Sequence, residues 1–430
     1  MSQYRQFVFD HYTFDRASGL LELHYNIDGQ LPFIETYRFD FPFVDYDEAQ
    51  LDRAIQALFF LAGTSYFKTY APPEIVVKTG TLDQEMAAFF SKTYQRGLGE
   101  FWYVNDLDPR TPVNFPVTSA ETVAPLDATA GEGLLVAIGG GKDSLVSIEM
   151  LRGKVDKLAT WSLNHREQLE PLVARIGLPH LWVDRVWDPI LYELNNKGAM
   201  SGHIPISGIF ACVGTVVAIL SGYRDVVVSN EQSANAPTLQ YKGVDINHQY
   251  SKSQEFERDY QAFVRHTLGQ SYRYYSFLRP LSEVRIAELF ATLGFETYKD
   301  VFSSCNRAFV HTSNHMWWCG ECPKCAFVFM TLTPFLPRAD VETLFGGKNL
   351  LLDPALEPTY RKLLGIEGDK PLDCIGDIEE SRAAMRLAFA IYPELAQTYH
   401  FEIPDDYDFR AVATHEMPPE LFTILQSYLQ

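Results

Sequence analysis

Leu134-Leu135-Val136-Ala137-Ile138-Gly139-Gly140-Gly141-Lys142-Asp143-Ser144-Leu145-Val146-Ser147-Ile148-Glu149-Met150-Leu151 decides the fold. Its first five residues form a continuous apolar run, the pattern of a parallel strand covered on both faces, and from Ser144 the apolar positions fall at helical spacing. The three glycines between remove the Cβ atoms that would hold a ligand off the backbone. The helix that follows offers unpaired N–H groups and the positive end of its dipole. A phosphate chain fits such a loop. Lys142 adds charge, Ser144 a hydroxyl at the first helical turn, and Asp143 either a ligand for Mg²⁺ or a helix cap. The spacing is neither G-x-x-x-x-G-K-[ST] nor G-x-G-x-x-G, because Asp143 and Ser144 follow the glycines directly.

Working outward, apolar runs at 158–163, 181–183, 225–229 and 272–278 read as strands, and 167–176, 206–221 and 283–293 read as helices. This alternation predicts a doubly wound, mostly parallel α/β core with ligands at the carboxyl ends of its strands. Upstream, β-rich runs at 7–9, 20–25 and 33–39 are separated by the turn signals Ala17-Ser18-Gly19 and Asp28-Gly29. A helix from Asp47 carries Leu51, Ala54, Ile55, Leu58, Phe59 and Ala62 on one face, and a second is expected at 83–96. Residues 116–125 have linker composition. The organisation expected is an α+β N-terminal domain over 1–125, a nucleotide-binding domain over 126–330 and a mostly helical region over 331–430.

The 430 residues are 47% hydrophobic and 21% charged, enough apolar surface to offset the chain entropy lost on folding. Lys+Arg 36 against Asp+Glu 55 leaves a net charge of −19, which argues against a nucleic-acid partner. The N-terminus shows no apolar signal-peptide region, and the longest apolar stretch, 208–220, is shorter than the ~18–20 residues that span a bilayer. A cytoplasmic protein with no membrane association is expected.

Four of the six cysteines crowd into one segment, Cys305 followed by Cys319-Gly320-Glu321-Cys322-Pro323-Lys324-Cys325. Two C-x-x-C steps sharing Cys322, with Cys305 as the fourth thiolate, suit tetrahedral Zn²⁺ in a closed structural site. Redox-active thiols and an iron–sulfur cluster are the alternatives. Cys212, inside the apolar helix, reads as core, and Cys374 has no companion. Polar clusters at strand ends supply candidates for chemistry: His203, Glu231, His248 and Lys252 for proton transfer, and Asn230, Asn247 and Arg279 for holding substrate. Each of these is, taken singly, also an ordinary surface or capping residue.

The loop Gly139-Gly140-Gly141-Lys142-Asp143-Ser144 resembles the S-G-G-x-D-S loop of the PP-loop ATP pyrophosphatases, with Gly139 in place of the opening serine. That resemblance implies a sheet of the PP-loop type and cleavage of ATP between its α- and β-phosphates. The Cys-Gly-x-Cys-x-x-Cys pattern downstream resembles the zinc site of 7-cyano-7-deazaguanine synthases. A narrower resemblance runs through Gly97-Leu98-Gly99-Glu100-Phe101, the segment 136–149, Gly202-His203-Ile204-Pro205, Ser229-Asn230-Glu231, Asn247-His248-Gln249, Tyr274-Tyr275-Ser276, Ser303-Ser304-Cys305-Asn306-Arg307 and Trp318-Cys319-Gly320-Glu321-Cys322-Pro323-Lys324-Cys325. Together these are similar to the MurL family of UDP-N-acetylmuramoyl-L-alanyl-L-glutamate epimerases, over nearly the whole chain.

The resemblance implies ATP- and Mg²⁺-dependent inversion of the terminal L-Glu of UDP-MurNAc-L-Ala-L-Glu, with release of AMP and pyrophosphate. Chemistry explains the ATP. Removing the α-proton beside a free carboxylate builds an enediolate dianion, whereas an acyl adenylate has lost that charge and delocalises the carbanion. Two other readings stay open. One is a ligase or nucleobase-modifying enzyme, in which ammonia or a sulfur donor attacks the adenylated group; the other is a zinc-containing nucleotide sensor without turnover.

Overall fold

The computed structural model describes residues 4–126, 129–309 and 315–430. Strands β1 (Gln6–Asp15), β2 (Leu20–Ile27), β3 (Leu31–Asp40) and β4 (Glu74–Val77) precede the glycine loop. β5 (Leu134–Ala137), β6 (Leu158–Leu163), β7 (His180–Val186), β8 (Asp225–Val228), β9 (Leu239–Tyr241), β10 (Val244–Ile246) and β11 (Arg273–Ser276) follow in order. All except β9 and β10 join one nine-stranded mixed sheet, ordered β11-β8-β5-β6-β7-β3-β2-β1-β4. The pair β9–β10 forms a separate antiparallel hairpin.

Chemistry is concentrated in the parallel half. β5, β6 and β7 step outward in chain order, and β8 then returns to the other side of β5, with β11 beyond it. The order therefore reverses between β5 and β8. Crevices at such reversals lie beyond the carboxyl ends of the strands and take ligands. The helices Lys142–Leu151, Ile206–Ser221 and Glu283–Leu293 lie near the positions their periodicity predicts. The N-terminal strands form an antiparallel meander whose alternating residues bury Leu21, Leu23, Tyr25 and Ile27. They continue the same sheet: β3 pairs antiparallel with β7, Tyr37 opposite Arg185, so the sheet runs unbroken across residue 125. At this seam the Arg185 guanidinium donates to the fully buried Glu35 carboxylate at 2.8 Å, and Tyr37 donates to the same oxygen at 2.6 Å. Residues beyond 331 are largely helical, including Glu357–Leu363 and Ile378–Ala388.

One long helix, Gln254–Leu268, was absent from the sequence reading. It buries Phe256, Tyr260, Phe263, Val264, Thr267 and Leu268 at helical spacing while most of its other positions are polar. Ser253 caps it by accepting from the Phe256 N–H. Among the described residues, no helix is long and apolar enough to cross a membrane; Ile206–Ser221 is a core helix whose Cys212 is fully buried, and burial pushes that thiol up to about 12.

Candidate active site

The glycine loop leaves β5 and enters the helix Lys142–Leu151 with backbone geometry that only glycine supplies at one position. Gly140 has φ +93, and a Cβ there would lie 2.7 Å from Phe309 Cζ and 3.0 Å from Ser303 O. Gly139, by contrast, faces open space. Gly141 is the N-cap, and no side chain accepts from the first-turn N–H groups. Those unpaired donors open onto a cavity of about 810 Å³ at the sheet's reversal point. An uncapped helix start at a glycine turn is an anion site in the physical sense: oriented N–H groups and the dipole both favour negative charge.

Beneath the loop sits a buried charge network. Lys142 and Glu283 have side chains only 2% exposed and are directly ion-paired, and Lys142 also reaches Asp143 Oδ1 at 2.5 Å. Lys324 Nζ lies 3.7 Å from the other Glu283 oxygen. Burial pushes the Glu283 carboxyl up, but the Lys142 and Lys324 ammoniums outweigh it and hold it down to about 2. Asp143 moves the other way, raised by burial despite Lys142 beside it. Glu380, on the helix Ile378–Ala388, accepts from the Glu283 N–H at 2.9 Å, and burial together with Asp377 and Glu283 drives its own carboxyl upward. Lys142 is thus a structural anchor under the loop, while Asp143 and Ser144 face the cavity.

The structure sorts the remaining sequence candidates. His203, Asn230 and Lys252 line the cavity together with Gly139, Gly141, Asp143 and Ser144. Burial, with the nearby charges of His248, Lys252 and Lys68, brings His203 down to about 4, so its imidazole is neutral near pH 7. Glu231, Asn247, His248 and Arg279 are not on the cavity wall. His248 lies behind His203, ring centroids 6.2 Å apart, with Nδ1 2.6 Å from Thr238 Oγ1. Asn247 spends its amide on the Ala234 carbonyl and the Gln249 N–H.

Arg279 is fully buried. Its guanidinium donates to the Glu231 carbonyl at 2.6 Å, to the Lys252 carbonyl, and to the Glu257 carboxylate at 3.2 Å. Its geometry is that of a clamp holding the backbone of two site segments. Fully buried and off the cavity wall, it does not present its donors to a substrate there.

Four further cavity residues were not among the site candidates read from the sequence. His165 follows Asn164, and both adopt left-handed φ, +59 and +62, a rare arrangement for consecutive non-glycine residues that clusters at functional sites. Trp161 contributes a buried indole N–H without a partner among the described residues. Lys324 and Cys374 complete the set, and Lys252 is the companion that Cys374 lacked in the sequence.

Cys305, Cys319, Cys322 and Cys325 come together with all four sulfurs within 4.8 Å of one another. Tetrahedral Zn²⁺ with bonds of ~2.3 Å requires sulfurs about 3.8 Å apart. The Cys305–Cys322 and Cys319–Cys325 separations are 4.0 and 3.6 Å. Backbone N–H groups of Glu321 and Cys325 also point at the Cys319 and Cys322 sulfurs, each at 3.4 Å, as anionic sulfur favours. The set suits a structural metal ion of the zinc kind. It ties the start of the helix Pro323–Leu332, which carries Lys324, to Cys305 on the cavity wall.

A family model for the MurL N-terminal domain matches residues 1–277, and one for the MurL C-terminal domain matches residues 301–398. The chain belongs to the MurL family. Relatives include UDP-N-acetyl-alpha-D-muramoyl-L-alanyl-L-glutamate epimerases from Salinispora tropica, 39% identical over 89% of this chain and 84% of the relative, and from Xanthomonas oryzae pv. oryzae, 39% identical over 89% and 85%. A third, from a Micromonospora species, is 39% identical over 89% of this chain and 86% of its own. The glycine loop, the cysteine cluster and every cavity residue named above fall inside the two matched MurL segments, and Cys305, Lys324 and Cys374 belong to the second.

Proposed function

We propose that this chain inverts the terminal L-Glu of UDP-MurNAc-L-Ala-L-Glu to D-Glu, spending ATP on a transient acyl adenylate. The substrate comes from the names of relatives that cover most of the chain. The observation that carries the nucleotide step is the uncapped helix start at 139–144 facing one cavity with proton-transfer side chains. In this reading the sheet is of the PP-loop type. The loop N–H groups and Ser144 hold the departing pyrophosphate, and Asp143 offers Mg²⁺ a carboxylate; bound there, the cation neutralises charge on the phosphates.

The protein's part is then geometric and electrostatic. Loop donors favour negative charge as it gathers on the leaving group. Lys142, locked between Asp143 and Glu283, stays charged and fixes the base of the loop. Once the carboxylate is masked, the α-proton is acidified, and a neutral imidazole such as His203 is in the protonation state a base requires. Asn230, held by the Ser276 hydroxyl donating to its carbonyl at 2.7 Å, provides an amide for the substrate. Hydrolysis of the inverted acyl adenylate frees the D-acid. The test is ATP–pyrophosphate exchange: it should depend on UDP-MurNAc-L-Ala-L-Glu and be absent with ATP alone. Inversion without such exchange would refute the adenylate.

A further inference from the structure

Cys374 lies between the helices Glu357–Leu363 and Ile378–Ala388, some 230 residues after the glycine loop, yet lines the same cavity as Asp143, Ser144 and His203. Two lysines from different segments fix it there. Lys324 Nζ donates to its carbonyl oxygen at 2.5 Å, and the Lys252 ammonium, on the same cavity wall, interacts electrostatically with its side chain. It stands apart from the metal cluster, whose four sulfurs are those of Cys305, Cys319, Cys322 and Cys325. A structural core cysteine such as Cys212 is enclosed by apolar groups. Cys374 instead is partly exposed, on the wall of a cavity it shares with Asp143, Lys252 and Lys324. There it can reach a bound substrate, as a core thiol cannot.

We infer that Cys374 carries the proton on one face of the glutamyl α-carbon and His203 carries it on the other. This deepens the epimerase reading and rests on it. In one direction the Cα–H bond breaks, its proton forms an N–H bond on His203, and the electron pair moves onto the acyl oxygen as an enolate. The enolate then takes the S–H proton of Cys374 on its opposite face, forming the new Cα–H bond and leaving a thiolate beside the Lys252 ammonium. The reverse direction starts from thiolate and imidazolium. No oxidant or reductant enters, and the pair holds one exchangeable proton before and after inversion and two while the enolate is present. The surroundings suit both halves: His203 rests neutral, and although burial acts against the Lys252 charge, Cys374, Glu231 and Asp143 outweigh it and keep the ammonium.

The experiment uses the full-length, metal-replete chain with ATP in D₂O, comparing wild type with Cys374→Ala and Cys374→Ser. Each is given UDP-MurNAc-L-Ala-L-Glu and, separately, its D-Glu epimer. Inversion should fall at least 1,000-fold in both variants while substrate-dependent ATP–pyrophosphate exchange stays within threefold of wild type. Deuterium should still enter the α-carbon of one epimer and fail to enter that of the other, the signature of one missing face. Deuterium entering both epimers within tenfold of wild type would overturn the assignment. So would joint loss of labelling and pyrophosphate exchange in the folded serine variant, which would make Cys374 a binding residue. Wild type that labels the α-carbon without pyrophosphate exchange would refute adenylation, while the one-sided labelling still decides the role of Cys374.

Discussion

Replacing Glu283 by glutamine removes the charge shared by Lys142 and Lys324 while keeping its volume. Both Lys142 and Glu283 are 2% exposed at the side chain, so water cannot solvate the orphaned ammonium. Losing one partner of a buried pair costs about 3–5 kcal/mol, and Asp143, still 2.5 Å from Lys142, sets the expectation at the lower end. The protonation equilibrium gives a similar figure: a carboxyl held at about 2 rather than its usual 4.5 corresponds to about 3 kcal/mol. With an unfolding entropy of about 2.1 cal/mol/K per residue over 430 residues, E283Q should melt about 3–5 °C below wild type at pH 7. Because the folded carboxyl lies below its unfolded value, its contribution is full above pH 4.5 and is lost as pH falls toward 2. By pH 3.5 the difference should have narrowed by about 1.4 kcal/mol. Scanning calorimetry of metal-replete protein measures both. A melting temperature within 1 °C of wild type at pH 7, or a gap that does not narrow on acidification, would refute the reasoning.

Gly140→Ala forces a side chain into left-handed backbone against Phe309 and Ser303, a strain of about 1–3 kcal/mol. It should slow substrate-dependent pyrophosphate exchange roughly ten- to hundredfold, and an unchanged rate would remove the loop from the mechanism. Asp143→Ala and Ser144→Ala should abolish AMP formation and inversion together; loss of inversion alone would assign them elsewhere. His203→Gln should spare pyrophosphate exchange and halt inversion. In wild type a base brought down to about 4 predicts kcat/KM level from pH 8 to about 5 and falling only below that, so an acid limb near 6.5 would contradict it. Elemental analysis should find one zinc per chain, absent in Cys325→Ser, and a strong chelator should lower the melting temperature by several degrees; a metal-free chain of equal stability would refute the structural role.

Strand, glycine loop and helix were legible at 134–151 because one short segment carries its own periodicity, turn chemistry and ligand logic. The cysteine cluster was legible because the C-x-x-C spacing leaves little geometric freedom. The helix Gln254–Leu268 escaped because charged residues surround a narrow apolar face that repeats at 256, 260, 263 and 267. β4, four residues long, pairs in parallel with β1 across some 68 positions of sequence, a match with no local signal. Arg279 illustrates the limit at the site. An arginine after a strand reads as a substrate contact, but its partner Glu257 and the two carbonyls it clamps converge only in three dimensions. Cys374 is the converse: isolated in sequence, it gains its chemistry from Lys252, 122 positions upstream, a pairing that tertiary structure alone supplies.

The most direct measurement is turnover of UDP-MurNAc-L-Ala-L-Glu in D₂O with and without ATP, following α-carbon deuterium, glutamate configuration and AMP together. The account predicts one AMP and one pyrophosphate per processed acyl group, D-Glu bearing α-deuterium, and no inversion when ATP is omitted. Inversion at the same rate without the nucleotide would contradict it.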